Sequence, residues 1–298
     1  MTAFLPTIST AELKKRLQHI TGERNPFSSP RHLAQVENYI EREFESYRLS
    51  VESDTFTHLG RSYRNIIGST SPHPFPSPTG RGREGEGVII MGAHFDSVEG
   101  TPGADDNASG VAVLLEAARI LSGLRLRSPV LFCAFNLEEI NMIGSAHFAK
   151  KLKAAGAKVR AMVSLEMVGF TDSKPGSQKY PIGLRWFYPD HGSFIGVIGN
   201  WRSTALLRQF SHSMRQVRGL PVETLTVLGN GFLIPQVRLS DHSPFWDLGY
   251  PALMITDTSF FRNPHYHGAS DTADTLDLDF MAKVCQGVIY AVSYIAGL

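Results

Sequence analysis

From residue 87 onward the chain alternates between short, almost wholly apolar runs and longer segments with one apolar face, and this alternation restricts the fold more than any other feature. "GVIIMGAHF" (87–95), "PVLFCAFNL" (129–137), "RAMVSLEMV" (160–168), "SFIGVIGN" (193–200), "VETLTVL" (222–228) and "PALMITD" (251–257) have the length and β-branched content of buried strands. Between them, "ASGVAVLLEAARIL" (108–121), "MIGSAHFAKKLKAAG" (142–156) and a segment near 201–217 have helical periodicity, and residues 277–296 form a closing helix. Strands separated by helices are joined in parallel, because a parallel crossover needs a connection of that length. The pattern predicts an α/β fold with a largely parallel central sheet. Upstream, Ser9 with Glu12 forms a capping box for a helix to about Ile20, residues 30–48 fit a second helix, and strands are expected around 49–57 and 62–68. Residues 69–86, "STSPHPFPSPTGRGREGE", read as an exposed loop insertion, with no apolar face to anchor them. No internal repeat or linker divides the chain, so 1–298 is expected to be one domain.

Composition excludes several function classes. A formal net charge of +1 gives no sign of a nucleic-acid or polyanion partner, and none is expected. No run of 18 apolar residues is present, so no membrane span is expected, and the N-terminus lacks a secretory pattern, which makes the cytoplasm the default compartment. The two cysteines, Cys133 and Cys285, fall in apolar patterns and read as buried thiols rather than a disulfide framework.

Chemistry-bearing residues collect at the ends of the expected strands. The first strand ends in His94-Phe95-Asp96, the next in Glu138-Glu139 and the third in Glu166. Open α/β sheets build their sites beyond the carboxyl ends of strands, so these groups converge on one crevice. Carboxylates crowded into a low-dielectric cleft repel one another, and a cation relieves that repulsion. Residues two apart on a strand face the same way, so Asp96 can bond one ring nitrogen of His94 and leave the other for a metal. Of the adjacent pair Glu138 and Glu139, a turn can send one to a metal and the other to a water. The stretch "GADDNASG" (103–110) adds Asp105, Asp106 and Asn107, which can also cap the helix that follows. A further histidine is available after the strand at 251–257, where "PHYHG" offers both His265 and His267.

The motifs "GAHFDS", "GADDNASGVAVLLEAAR", "FNLEEINMIGSAHF", "SLEMVGF", "SDHSPFWDLGYPALMITDT" and "YHGASDTADTLD" occur in the order found in the co-catalytic zinc aminopeptidases. Over about residues 62–298 the chain resembles that family, which includes bacterial leucine aminopeptidases and the catalytic domain of glutamate carboxypeptidase II. The resemblance implies a three-layer α/β/α fold with a mixed, largely parallel sheet. It implies two Zn2+ ions, replaceable by cobalt or manganese. His94 would bind one ion and His267 the other, Asp106 would bridge them, and Glu139 and Glu166 would complete their shells. Glu138 would be the general base, Asp96 the support of His94, and Tyr266 a hydrogen-bond donor to the developing oxyanion. Asp271 or Asp274 would brace the loop of His267. A cis peptide is expected between Asp105 and Asp106. Many relatives carry Asp where this chain has Glu166. The substrates implied are peptides with a free N-terminus, and Phe245, Trp246, Phe260 and Phe261 are candidates for a side-chain pocket, with core packing favoured for the first two. Oligomeric state is left open. Within the same fold the alternatives are a single-zinc glutaminyl cyclase-like acyltransferase and a non-catalytic binding domain.

Overall fold

The computed structural model describes residues 6–72 and 87–298. Helix α1 (Thr10–Ile20) opens as expected, with Ser9 accepting a bond from the Glu12 amide, and is followed by α2 (Pro30–Ser46). A hairpin, β1 (Ser50–His58) and β2 (Arg61–Ser69), comes next. The alternating part then runs β3 (Val88–His94), α3 (Gly110–Leu121), β4 (Val130–Phe135), α4 (Ile143–Ala154) and β5 (Val159–Glu166). It continues through β6 (Ile195–Asn200), α5 (Thr204–Met214), β7 (Val222–Val227), α6 (His242–Asp247), β8 (Ala252–Thr256) and α7 (Leu278–Ala296). Residues 73–86 of the expected loop insertion, and His73 with them, lie outside the described residues.

Eight strands form one sheet in the order β1-β2-β4-β3-β5-β8-β6-β7. The β3–β4, β3–β5, β5–β8 and β6–β7 pairs are parallel, and β1–β2, β2–β4 and β6–β8 are antiparallel. Side chains alternate across the sheet as the pleat requires. Ile89, Met91, Ala93, Val130, Phe132 and Ala134 pack toward α1, α2, α3, α5 and α7. Val88, Ile90, Leu131, Cys133 and Phe135 pack toward α4 and α6. The result is a three-layer α/β/α architecture with both faces covered, which is why the central strands read as unbroken apolar runs. Cys133 and Cys285 are free and buried.

One helix start and one short helix depart from the sequence reading beyond shifts of a few residues at element ends. The helix expected from residue 108 begins at Gly110, because Ala104–Ser109 form an irregular turn in which Asp106 and Asn107 leave helical geometry. Helix α6 was not expected, since six residues are too few to show a period.

Candidate metal centre

The parallel neighbours β4, β3 and β5 all end at the same edge of the sheet, bringing His94, Glu138-Glu139 and Glu166 together. β8 ends beside β5, and the chain after it carries His267 to the same place. Three residues at the site have left-handed backbone: Leu137 (φ +57°), Met167 (φ +50°) and His267 (φ +54°). Such conformations cost energy for side-chain-bearing residues and collect where a chain must turn sharply at a site.

Asp106 stands at the centre. Its Oδ1 lies 3.3 Å from His94 Nε2, and its Oδ2 lies 3.2 Å from His267 Nε2. Glu166 Oε2 is 3.5 Å from His94 Nε2, and Glu139 Oε2 is 3.3 Å from His267 Nε2. Glu138 Oε2 is 3.8 Å from His94 Nε2. Among the described residues, two sets of three ligand atoms lie within 4.8 Å of one another: His94 with Glu138 and Glu166, and His94 with Asp106 and Glu139.

The donors fit cations. His94 Nε2, Glu139 Oε1 and Glu166 Oε2 are buried and make no hydrogen bond, an arrangement that is costly unless an ion completes it. Burial drives His94 toward neutrality, but the charges of Glu138 and Glu166 and the adjacent carboxylates of Asp106 and Asp96 outweigh it and hold its pKa well above the ordinary range. His267 behaves likewise, its burial outweighed by Asp106 and Glu139, and is raised to about 10. Burial raises Glu138 strongly, and burial with the charge of Asp106 raises Glu139 to about 7. Asp106 is depressed despite its burial, because both imidazoles stand against its oxygens and favour its charged form. A mixed set of imidazoles and carboxylates is the donor type of zinc and related divalent ions.

A hydrogen-bond frame holds the donors. Asp96 Oδ1 accepts the Glu138 amide at 3.1 Å and Oδ2 the Glu139 amide at 3.2 Å, so this carboxylate fixes the turn that aims both glutamates. Its Oδ1 is 3.5 Å from His94 Nδ1, which lies 3.3 Å from the Asp96 carbonyl. Asp271 accepts the Asp105 amide at 2.9 Å and the Asp106 amide at 3.1 Å, whereas Asp274 makes no such contact and is exposed. Asn107 bonds the Gly110 amide at 3.2 Å, and also the Met167 amide and Leu165 carbonyl, tying the start of α3 to the end of β5. Asn107 thus caps the start of α3 while Asp106 stands between the two histidines. The expected cis bond between Asp105 and Asp106 is corrected: the cis peptide joins Asp106 and Asn107. The amides of Asp105 and Asp106 both point to Asp271, and the reversal comes one bond later.

The two histidines of "PHYHG" separate. His265 bonds Ser270 Oγ at 2.8 Å and meets Phe170 edge-on, away from the cluster. Tyr266 stacks on His267 with ring centroids 3.7 Å apart and borders the cavity above the cluster. Burial, together with Asp106, Glu139, Glu166 and Glu138, raises the Tyr266 phenol, so it stays a proton donor. Phe260 and Phe261 line that cavity, while Phe245 and Trp246 are core.

The model of "Peptidase family M28" matches residues 78–292. The chain belongs to peptidase family M28. It is 37% identical over 294 residues to the "Uncharacterized protein YfbL" of Escherichia coli K12, covering 94% of this chain and 87% of that one. It is 30% identical over 230 residues to a "Probable leucine aminopeptidase" of Arthroderma otae, covering 72% of this chain but only 55% of the fungal protein. The fold matches the LapA aminopeptidase of Legionella pneumophila with a TM-score of 0.76 at 20% identity, over 98% of this chain and 72% of that one. This M28 chain is a metallopeptidase with a dinuclear site, and the described residues contain no helix long and apolar enough to cross a membrane.

Several supporting residues of the M28 site escape a sequence reading. Arg24 is fully buried and donates to the carbonyls of Ile20, Phe95, Pro102 and Gly103, so it clamps the loop before Asp106. It lies 82 positions from Asp106, and no local pattern marks it. Asn263 donates to Asp105 Oδ2 at 2.7 Å. Asp241 is buried beside the cluster, and burial pushes it up to about 7 against the pull of His94. Its neighbour His242 bonds the Val237 carbonyl, is held neutral by burial with a pKa near 3, and takes no part in the centre. The dipeptide Asp241-His242 was a usable signal, but the acid rather than the histidine faces the site.

Proposed function

We propose that the chain is a two-zinc aminopeptidase that removes the first residue of peptides bearing a free N-terminus. The observation carrying this reading is the division of one carboxylate between two histidines, with Asp106 Oδ1 toward His94 and Oδ2 toward His267. His94, Asp106 and Glu166 would hold one ion, and His267, Asp106 and Glu139 the other. Bound ions would lower the pKa of a water and polarise the substrate carbonyl.

The remaining work falls to the chain. Glu138 borders the cavity, and its burial favours the protonated form once it has taken a proton. It accepts the proton of the attacking water and returns it to the leaving amine. Asp96 holds Glu138 in place through its amide. The Tyr266 hydroxyl donates to the carbonyl oxygen as negative charge develops there. The substrate α-amine sits against the carboxylates around the centre, which limits attack to the end of a chain.

The test is hydrolysis of a panel of aminoacyl anilides by the zinc-loaded protein, with and without chelator, alongside an assay for pyroglutamate formation from N-terminal Gln. Chelator-sensitive anilide hydrolysis is expected. Cyclisation without hydrolysis would favour the glutaminyl cyclase-like reading and overturn this one.

A further inference from the structure

We infer that Glu223 selects substrates whose first residue is basic, a lysine or an arginine; this rests on the aminopeptidase reading above. The inference starts from strand register. Glu166 on β5 pairs with Thr256 on β8, Thr256 with Gly196 on β6, and Gly196 with Glu223 on β7. Residues directly opposite across a sheet share a face, so the four form one row on one face. Three strand spacings separate the metal-site glutamate from Glu223, about 14 Å. The two positions between them carry a threonine and no side chain at all, which leaves the floor of the row low.

The cavity of about 240 Å³ at the metal centre runs along this row, bordered by Glu138 and Glu166 at one end and Glu223 at the other. Its walls beyond the metal centre are mainly apolar and aromatic, with Tyr180, Tyr188, Phe194, Ile198 and Leu225 among them. An apolar pocket that ends in a carboxylate needs a ligand with an apolar stem and a cationic tip. Glu223 is half-buried, and among the described residues nothing pairs with it. The two nearby phenols are spent elsewhere: Tyr180 donates to the Pro189 carbonyl at 2.6 Å and Tyr188 to the Thr224 carbonyl at 2.8 Å. Arg262 is held by Gln178 at 2.9 Å and lies over the ring of Phe194. Lys179 borders the cavity but is exposed and has no ion pair with Glu223.

Length agrees with this chemistry. An extended lysine or arginine side chain reaches about 6–7 Å from its α-carbon. With the scissile carbonyl over the metal centre, that reach and about 4 Å from the Glu223 side chain together span most of the roughly 14 Å row, whereas a leucine side chain stops short. The stacked Tyr180 and Tyr188 rings, 5.7 Å apart, add aromatic surface beside the path of the cation. The α-amine meets the carboxylates at the near end and the side-chain cation meets Glu223 at the far end.

The experiment compares zinc-loaded wild type, Glu223→Gln and Glu223→Lys on lysyl, arginyl, norleucyl, leucyl and glutamyl anilides. Norleucine keeps the lysine stem and lacks its charge. Wild type should favour lysyl over norleucyl substrate by at least about tenfold in kcat/KM. Glu223→Gln should lower the lysyl and arginyl values by about 10–100-fold and leave norleucyl within about twofold. Charge-assisted pairs are the stronger class of hydrogen bond, and only the cationic substrates lose one. Glu223→Lys should move the preference toward glutamyl substrate. The same proteins are titrated with free L-lysine and L-norleucine by calorimetry. If no anilide is cleaved, the aminopeptidase reading fails, and the lysine-over-norleucine binding ratio and its loss in Glu223→Gln still decide the role of Glu223. Equal loss on all substrates in Glu223→Gln, or a wild type that prefers norleucine over lysine in both assays, overturns the inference.

Discussion

Replacing Asp96 with asparagine separates support of the metal centre from support of the fold. The side chain is fully buried, and its two oxygens each accept one amide, from Glu138 at 3.1 Å and Glu139 at 3.2 Å. Asparagine keeps the volume and one acceptor, but its NH2 group must face the other amide. The facing backbone amide and the NH2 group are then both left without an acceptor, at a cost of about 1–3 kcal/mol each. That cost applies with or without metal, so it lowers the melting temperature of both forms. The second effect appears only with metal. Weakening a partner of this kind lowers metal affinity about 10–100-fold, or about 1.4–2.7 kcal/mol. At fixed free zinc well above both dissociation constants, the stabilisation conferred by binding falls by the same amount. At about 2–3 °C per kcal/mol for a chain of this size, the gap between zinc-loaded and zinc-free melting temperatures should narrow by about 3–8 °C. Scanning calorimetry on both forms measures the gap, and zinc titration against a chelating indicator measures affinity independently. Turnover at saturating zinc should also fall, because one of the two glutamates, Glu138 or Glu139, loses its tether. An equal drop in both melting temperatures, with affinity and turnover unchanged, would refute the argument and leave Asp96 a purely structural residue.

Glu138→Gln should keep its metal content and lose at least about 10²–10⁴-fold in kcat, since general-base catalysis contributes that much; near-normal turnover with the anilide panel would remove Glu138 from the chemistry. Asp106→Ala should lose at least one ion, as judged by mass-spectrometric metal counting, and should be more damaging than Asp96→Ala. His267→Ala should lose an ion and nearly all activity, while His265→Ala, whose ring bonds Ser270 instead, keeps both ions; the reverse pattern would reassign the ligand.

Much of the centre was legible because its chemistry is carried by local patterns. A parallel strand ends in a predictable place, so His94, the Glu138-Glu139 pair and Glu166 could be assigned to one edge from periodicity alone. The choice between His265 and His267 could not be made that way, since residues two apart can face the same side. Resemblance favoured His267, and the left-handed turn at that residue, with φ of +54°, carries its ring to Asp106 while His265 turns to Ser270. The position of the cis peptide was misread by one bond, because adjacent acids in "GADDNASG" look alike until their amides are traced to Asp271.

The sequence by itself determined the α/β class with a largely parallel sheet, the helix starts with strong caps, and the strand ends that carry His94, Glu138, Glu139 and Glu166, because each depends on neighbours a few residues away. Tertiary structure alone decided what lies far apart along the chain. Arg24 reaches the loop before Asp106, Asn263 reaches Asp105, and Asp241 rather than His242 faces the cluster. It also set the strand order, through which Glu166 and Glu223 fall in one row across β5, β8, β6 and β7. Periodicity reports which face of a strand is buried, but a sheet is closed by hydrogen bonds between backbones, and backbones carry no residue-specific label to show which strand lies beside which.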